Sequence, residues 1–268
     1  MSHPAALTIA GSDSGGGAGI QADLKAFSAL EVYGCSVLTA LTAQNTQAVT
    51  GVMDVPADFI AAQIDAVFSD IVVHAVKIGM LSIPETIETV ASGLERHGAR
   101  NIVLDPVMVA KSGDALLQPH AVAAVRDRLL PLAGVITPNL PEAAALLGTD
   151  PVTSAEQMAD TARALLDLGP GAVLLKGGHL TGAGSPDILV SQDGVEAFES
   201  RRIETANTHG TGCTLSSSIA AGLAKGLSLR EAVAAAKTYI SAAIAAGDGL
   251  GIGKGHGPVH HFHHFWGR

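Results

Sequence analysis

The strongest constraint on this chain is a recurring pair: a short aliphatic run that closes on a polar residue or a glycine, then a longer stretch with helical spacing. Residues 5–11, 76–81, 101–108, 134–139 and 172–178 are such runs. Each is short, continuously apolar and bounded by glycine or proline, which reads as a strand covered on both faces. Their alternation with helical stretches predicts an α/β fold, a three-layer sandwich with a mostly parallel central sheet flanked by helices. With 47% hydrophobic and only 3% aromatic residues, the core must be aliphatic, which suits a buried parallel sheet. No linker, repeat or low-complexity boundary divides the 268 residues, so residues 1-268 are expected to form one domain.

Charge excludes several function classes. Sixteen basic residues stand against 25 acidic ones, a net charge of −9, and no basic cluster is present. Nucleic acid and anionic membrane surfaces are therefore not expected as partners, and any phosphate must be met locally. Cys35 and Cys213 are far apart and lack metal-type spacing, which fits a reducing, cytoplasmic setting. No uninterrupted apolar run reaches the ~18 residues of a membrane span.

The most informative stretch is Asn207-Thr208-His209-Gly210-Thr211-Gly212-Cys213-Thr214, a glycine turn opening into small residues with helical spacing. The glycines let backbone approach a ligand, and the first amides of the helix have no partner of their own. Together with the positive end of the dipole they suit an anion. Cys213 is expected at the mouth of the helix from about Thr214, where the dipole would lower its pKa and favour the thiolate. The competing reading is a helix cap with a buried cysteine.

Other strand ends carry further candidates, each with a plainer alternative. The segment Gly17-x-Gly19-x-x-Ala22 matches a dinucleotide fingerprint, but the second strand leads into Gln44-Asn45-Thr46 without the required acid, so NAD is rejected. Gln44 offers donor and acceptor to a heterocycle edge, or is a turn residue. Asp23 could accept from a substrate amine or hydroxyl, or be a dipole partner. Met80 packs on a flat ring or fills the core. Asp105, with Lys111-Ser112-Gly113 beyond it, closes one strand. Asn139 and Glu142 follow another, either holding Mg²⁺ through waters or forming an N-cap with its compensating acid. Lys176 meets a phosphate or is a solvated strand end. Capping boxes are read at Ser82-x-x-Glu85 and Thr153-x-x-Glu156, and an amphipathic helix at residues 56–68 with Phe59, Ile60, Ile64, Val67 and Phe68 on one side. A hairpin is read at 187–200 about Asp193-Gly194, and the histidine-rich tail 256–264 hints weakly at zinc.

Taken together, Ala10-Gly11-Ser12-Asp13, residues 15–23, Lys77-Ile78-Gly79-Met80-Leu81, Asp105-Pro106-Val107-Met108, Thr137-Pro138-Asn139-Leu140-Pro141-Glu142-Ala143, Lys176-Gly177-Gly178-His179 and residues 207–214 resemble the hydroxymethylpyrimidine/phosphomethylpyrimidine kinases of thiamine biosynthesis. These belong to the ribokinase-like superfamily, most of whose members place an aspartate where this chain has Cys213. The Gly-Pro-Val-His-His-Phe-His stretch at 257–263 matches the family's usual ending and explains the tail better than zinc does. The resemblance implies ATP-dependent phosphorylation of 4-amino-5-hydroxymethyl-2-methylpyrimidine to its monophosphate and then its diphosphate. It implies Cys213 as the activating base, with the amides of Gly210, Thr211, Gly212 and Cys213 facing the transferred phosphoryl group. Asp23, Gln44, Met80 and Val107 would hold the pyrimidine. Asp105 and Glu142 would organise Mg²⁺, and Asn139, Lys176 and Thr208 would contact ATP. A monovalent cation and a homodimer are further expectations. A pyridoxal kinase, a sugar kinase and a non-catalytic pyrimidine sensor are the alternatives; Cys213 weighs against the sugar kinase and the intact turn against the sensor.

Overall fold

A computed structural model of the protein describes residues 3–108, 121–180 and 184–266. Lys111-Ser112-Gly113 lie outside the described residues. Nine strands among those described form one sheet: β1 (Ala5–Asp13), β2 (Tyr33–Gln44), β3 (Val49–Asp54), β4 (Ala75–Ile78), β5 (Ile102–Leu104), β6 (Val135–Ile136), β7 (Ala172–Lys176), β8 (Asp187–Ser191) and β9 (Gly194–Phe198). Their order is β3-β2-β1-β4-β5-β6-β7-β8-β9. From β2 to β7 every neighbouring pair is parallel, while β3, β8 and β9 join antiparallel at the two ends.

Helices cover both faces. Helices α1 (Gly19–Ala29), α7 (Thr211–Ala224) and α8 (Leu229–Ala245) pack on one side; α2 (Ala57–Asp70), α3 (Pro84–Arg96), α4 (Ala121–Ala124), α5 (Leu140–Leu147) and α6 (Met158–Leu166) pack on the other. Strand side chains alternate between the layers. Leu7 and Ile9 meet Ile60, Ile64 and Ile87, whereas Ala6 joins the layer of Phe27, Leu215 and Ile219. Burying one such large aliphatic side chain contributes about 1.5–3 kcal/mol, so the apolar strand runs supply the driving force that the sequence pattern implies. The small residues of α7 have their own reason: a Cβ on Gly222 would lie 2.8 Å from the Cβ of Ala232, so α7 and α8 approach nearly backbone to backbone.

Several local expectations are corrected. Strand β3 went unread because its residues are almost all exposed and show no burial alternation; it is defined by pairing with residues 40–44 of β2. Phe59 is exposed, and only Ile60 and Ile64 of its helix are buried. Ser82 does not cap α3: Ile83 occupies that position, with Pro84 in the first turn, and the Ser82 hydroxyl donates to Asp54 instead. Thr153 likewise caps nothing, since a 3₁₀ turn (Ala155–Gln157) follows Ser154 and leads into α6. The hairpin turn falls one residue early, on Gln192 and Asp193, because Gly194 at φ 128° already pairs with Ser191.

Candidate active site

Strand order reverses around β1, which pairs with both β2 and β4, and the carboxyl ends of the parallel strands open there, where such sheets bind ligands. The chain leaving β1, β2, β4, β5, β6 and β7 delivers Asp13, Gln44, Met80, Asp105, Asn139 and Lys176 to one cavity of about 790 Å³. Val107, Glu142, Thr208 and the residues Gly210, Thr211, Gly212 and Cys213 also line it.

The glycine turn forms the far wall. Gly210 is the N-cap of α7 at φ 78°, and a Cβ there would fall 1.8 Å from the Gly17 carbonyl oxygen, so only glycine fits. The helix therefore starts at Thr211 rather than near Thr214. The first-turn amides of Gly212 and Cys213 have no carbonyl one turn behind them within the helix. A Cβ on Gly212 would stand 3.3 Å from Asp105 Oδ2 and 3.4 Å from Lys176 Nζ, which shows how closely this helix end approaches the charged pair.

Lys176 Nζ lies 2.9 Å from Asp105 Oδ1 and 3.9 Å from Glu142 Oε2. Thr137 donates to the same Asp105 oxygen at 3.1 Å. Burial alone would raise the Asp105 carboxyl, but Lys176 and Lys77 outweigh it and hold the group below the usual carboxylate range. Glu142 behaves oppositely: burial, aided by the Asp105 charge, pushes it up to about 7 against the pull of Lys176. Lys176 is desolvated, yet its carboxylate neighbours raise its pKa and keep it cationic. Asn139 and Glu142 form a reciprocal cap, Asn139 Oδ1 accepting from the Glu142 amide at 2.9 Å and Glu142 Oε2 from the Asn139 amide at 2.7 Å. The plain N-cap reading therefore holds, and it fixes the carboxylate beside Lys176.

Cys213 contradicts the expectation of a lowered thiol pKa. The residue keeps partial access to the cavity, but burial of its sulfur pushes the thiol up to about 11; Lys77 lowers it, while Asp23 and Asp105 add to the rise. Desolvation and two carboxylates outweigh the lysine and a backbone hydrogen bond from Gly19. The group is a thiol at neutral pH.

Asp23 is also corrected. It is fully buried and does not line the cavity, because its oxygens are already engaged by Ser217 Oγ at 2.5 Å, Thr8 Oγ1 at 2.6 Å and Lys77 Nζ at 2.9 Å. Burial would neutralise Lys77, but Asp23, Cys213 and Asp105 together raise its pKa. Asp23 thus holds a buried cation close to Cys213 and does not face the cavity.

Gln44, Met80 and Val107 share the cavity wall. Met80 lies against Gly11, where a Cβ would meet its sulfur at 3.1 Å. Gln44 Nε2 is 3.5 Å from His209 Nε2, which in turn is 2.9 Å from Asp13 Oδ2. Asp13 also accepts from the amides of Gly15, Gly17 and Ala18. Burial would raise its carboxyl, but His209 and these amides hold it below the ordinary value. A glycine loop that sequence alone leaves free is tied down by one carboxylate.

A family model described as phosphomethylpyrimidine kinase matches residues 13–260. The chain belongs to this family. The hydroxymethylpyrimidine/phosphomethylpyrimidine kinase of Rhizobium meliloti is 61% identical over 97% of this chain and 98% of its own length. Among solved structures, the phosphomethylpyrimidine kinase of Clostridium difficile is 47% identical with a TM-score of 0.80, covering 89% of this chain and 98% of that one. An ADP complex of Bacillus subtilis pyridoxal kinase is 41% identical with a TM-score of 0.90, covering 97% and 98%. The ribokinase-like sandwich is therefore shared with a phosphomethylpyrimidine kinase and a pyridoxal kinase.

In this phosphomethylpyrimidine kinase family member, three lining residues of the cavity carried little signal in the sequence. Lys77, Asp13 and His209 were visible only as parts of motifs, and the tail only as a recurrent ending. His209 carried one usable signal, a polar ring inside a glycine turn. The tail packs against the fold: Val259 and His261 are buried, and Tyr239 donates to the His261 carbonyl at 2.7 Å.

Proposed function

We propose that this kinase transfers the γ-phosphoryl group of ATP to the hydroxymethyl oxygen of 4-amino-5-hydroxymethyl-2-methylpyrimidine, and in a second turn to the resulting monophosphate, for thiamine biosynthesis. One observation carries the reading: the amide cradle at 210–213, Lys176 and Cys213 converge on one cavity that Gln44, Met80 and Val107 also line.

In this reading the pyrimidine lies against Met80 and Val107, with its polar edge at Gln44. ATP lies toward Asn139, Lys176 and Thr208. Charge spreading over the transferred phosphoryl oxygens is met by the 210–213 amides and by Lys176, groups that need no reorganisation during transfer. Cys213 orients the attacking oxygen; in its minor thiolate form the sulfur accepts the hydroxyl proton as the oxygen–phosphorus bond forms, and the thiol so formed returns that proton to solvent before the next turnover.

Asp105 and Glu142 would hold Mg²⁺. They fit an ion carried by one or two carboxylates, water and phosphate oxygens, and among the described residues no larger His, Cys, Asp and Glu cluster is arranged for a metal. When bound, the ion supplies neutralisation of phosphate charge. A homodimer acting in the cytoplasm completes the proposal, with a monovalent cation as a further requirement. Among the described residues no helix is long and apolar enough to cross a membrane.

The test is ATP-dependent phosphorylation of the pyrimidine alcohol and of pyridoxal, side by side, for the native protein and Cys213→Ala, with products followed by phosphorus NMR. Pyrimidine diphosphate from the native protein, lost in the variant, is the expected result. Preference for pyridoxal would move the substrate assignment, and a product that stops at the monophosphate would remove the second step.

A further inference from the structure

The C-terminal segment, absorbed by no role above, is seated directly behind the phosphoryl-transfer turn. His209 uses both of its backbone groups on it: its N–H donates to the Gly257 carbonyl at 3.0 Å, and its carbonyl accepts from the Val259 N–H at 3.4 Å. A parallel bridge joins His209 to Pro258. Two residues on, His261 Nε2 lies 2.9 Å from Thr214 Oγ1, and that hydroxyl donates to the Gly210 carbonyl at 2.8 Å. A hydroxyl has one proton to give. When Thr214 gives it to Gly210, His261 is the donor in its own bond, through Nε2–H.

We propose that residues 257–261 clamp the phosphoryl-transfer turn and that His261, acting through Thr214 and the Gly210 carbonyl, is a positioning residue for the reaction. This rests on the kinase reading above. The physical need is plain. The turn contains two glycines, one of them left-handed, so its own chain restrains it weakly. A peptide unit is planar, so holding the Gly210 carbonyl toward Thr214 also fixes where the Thr211 N–H points, and with it the start of the helix whose amides face the cavity. Preorganised donors are worth most when their geometry is held by groups behind them.

The clamp is itself anchored. Val259 is 1% exposed, the His260 N–H donates to the Ala243 carbonyl at 2.9 Å, and Tyr239 holds the His261 carbonyl. Pro258 also borders the glycine loop, since a Cβ on Gly17 would meet it at 3.2 Å. One segment therefore braces both the turn and the loop.

The experiment compares native protein with His261→Phe, which fills the space without a donor, His261→Gln, which restores one, and Thr214→Val, which removes the relay hydroxyl. Steady-state kinetics on the pyrimidine alcohol are read with hydrogen exchange of the 210–213 amides. His261→Phe and Thr214→Val are expected to lower kcat about 10- to 100-fold with KM for the pyrimidine unchanged. Exchange in the turn should quicken while the core strands stay protected, the double variant should be no worse than the worse single, and His261→Gln should recover most of the loss. Unchanged kcat and exchange in His261→Phe would overturn the clamp. So would equal losses in the Phe and Gln variants with faster exchange throughout the sheet, which is a stability role only. Should His261→Phe fail to fold, Thr214→Val and His261→Gln decide by the same readings. Native turnover of the pyrimidine tests the parent reading separately; without it, turn exchange alone decides the clamp.

Discussion

Lys176 and Asp105 form an ion pair at 2.9 Å on the cavity wall, with Glu142 only 3.9 Å from the same ammonium. The two carboxylates assigned to Mg²⁺ therefore already share a resident cation. Replacing Lys176 by Met leaves two buried acids facing each other, an arrangement expected to cost about 3–5 kcal/mol in denaturant unfolding. Added Mg²⁺ should then raise the melting temperature of Lys176→Met more than that of the native protein. Equal shifts would argue against Asp105 and Glu142 as the metal ligands.

Cys213 should be slow to alkylate. With its thiol pushed up to about 11, the thiolate fraction at neutral pH is far below that of a free cysteine. Its iodoacetamide rate, followed by mass spectrometry, should rise about tenfold per pH unit from 8 toward 11. A rate already level above pH 7 would restore the lowered-pKa expectation.

The buried pair of Lys77 and Asp23 makes a separate prediction. Both side chains have 0% exposure, so Lys77→Met strands a carboxylate and should destabilise the protein by about 3–5 kcal/mol. It should also slow Cys213 alkylation further, because Lys77 is the main group lowering that thiol. Unchanged alkylation would show that the lysine does not act on the sulfur.

Two glycines separate stability from catalysis. Gly210→Ala combines a positive φ, costing about 1 kcal/mol, with a backbone clash, and should lower the melting temperature markedly. Gly212→Ala meets only tight contacts at 3.3 and 3.4 Å from Asp105 and Lys176, so it should fold but lose about 10- to 100-fold in kcat. Comparable melting temperatures in the two variants would contradict this division.

Acid stability should depend on His261. Burial lowers its pKa to about 3, so the unfolded chain binds a proton below pH ~6.5 that the folded chain refuses. Stability is then lost as pH falls from about 6.5 toward 3, with a slope near 1.4 kcal/mol per unit from this group. Denaturant melts of His261→Gln should show a shallower fall; identical slopes would mean the ring is protonated in the folded state.

Much of the site was legible in the chain because ligand groups in this architecture sit at strand ends, and strand ends are marked locally. Gln44, Met80, Asp105, Asn139 and Lys176 each follow an aliphatic run, and they come together in one cavity. Strand β3 was not legible, since an exposed edge strand has no buried face to leave a pattern. The capping box at Ser82 failed because a local motif yields when a tertiary partner, here Asp54, takes the hydroxyl, and the one at Thr153 because the helix opens through a 3₁₀ turn that starts after Ser154.

The sequence by itself determined the alternation of buried strands and helices apart from the edge strand β3, the aliphatic core and the position of the glycine turn, because periodicity and glycine placement act over a few residues. Only the tertiary structure decided that Asp23 is spent on Lys77, 54 residues away, and that His261 meets Thr214 across 47. It also decided that Cys213 is a thiol rather than a thiolate. Desolvation and charge depend on what packs around a group in space, and residues distant along the chain supply most of that surrounding.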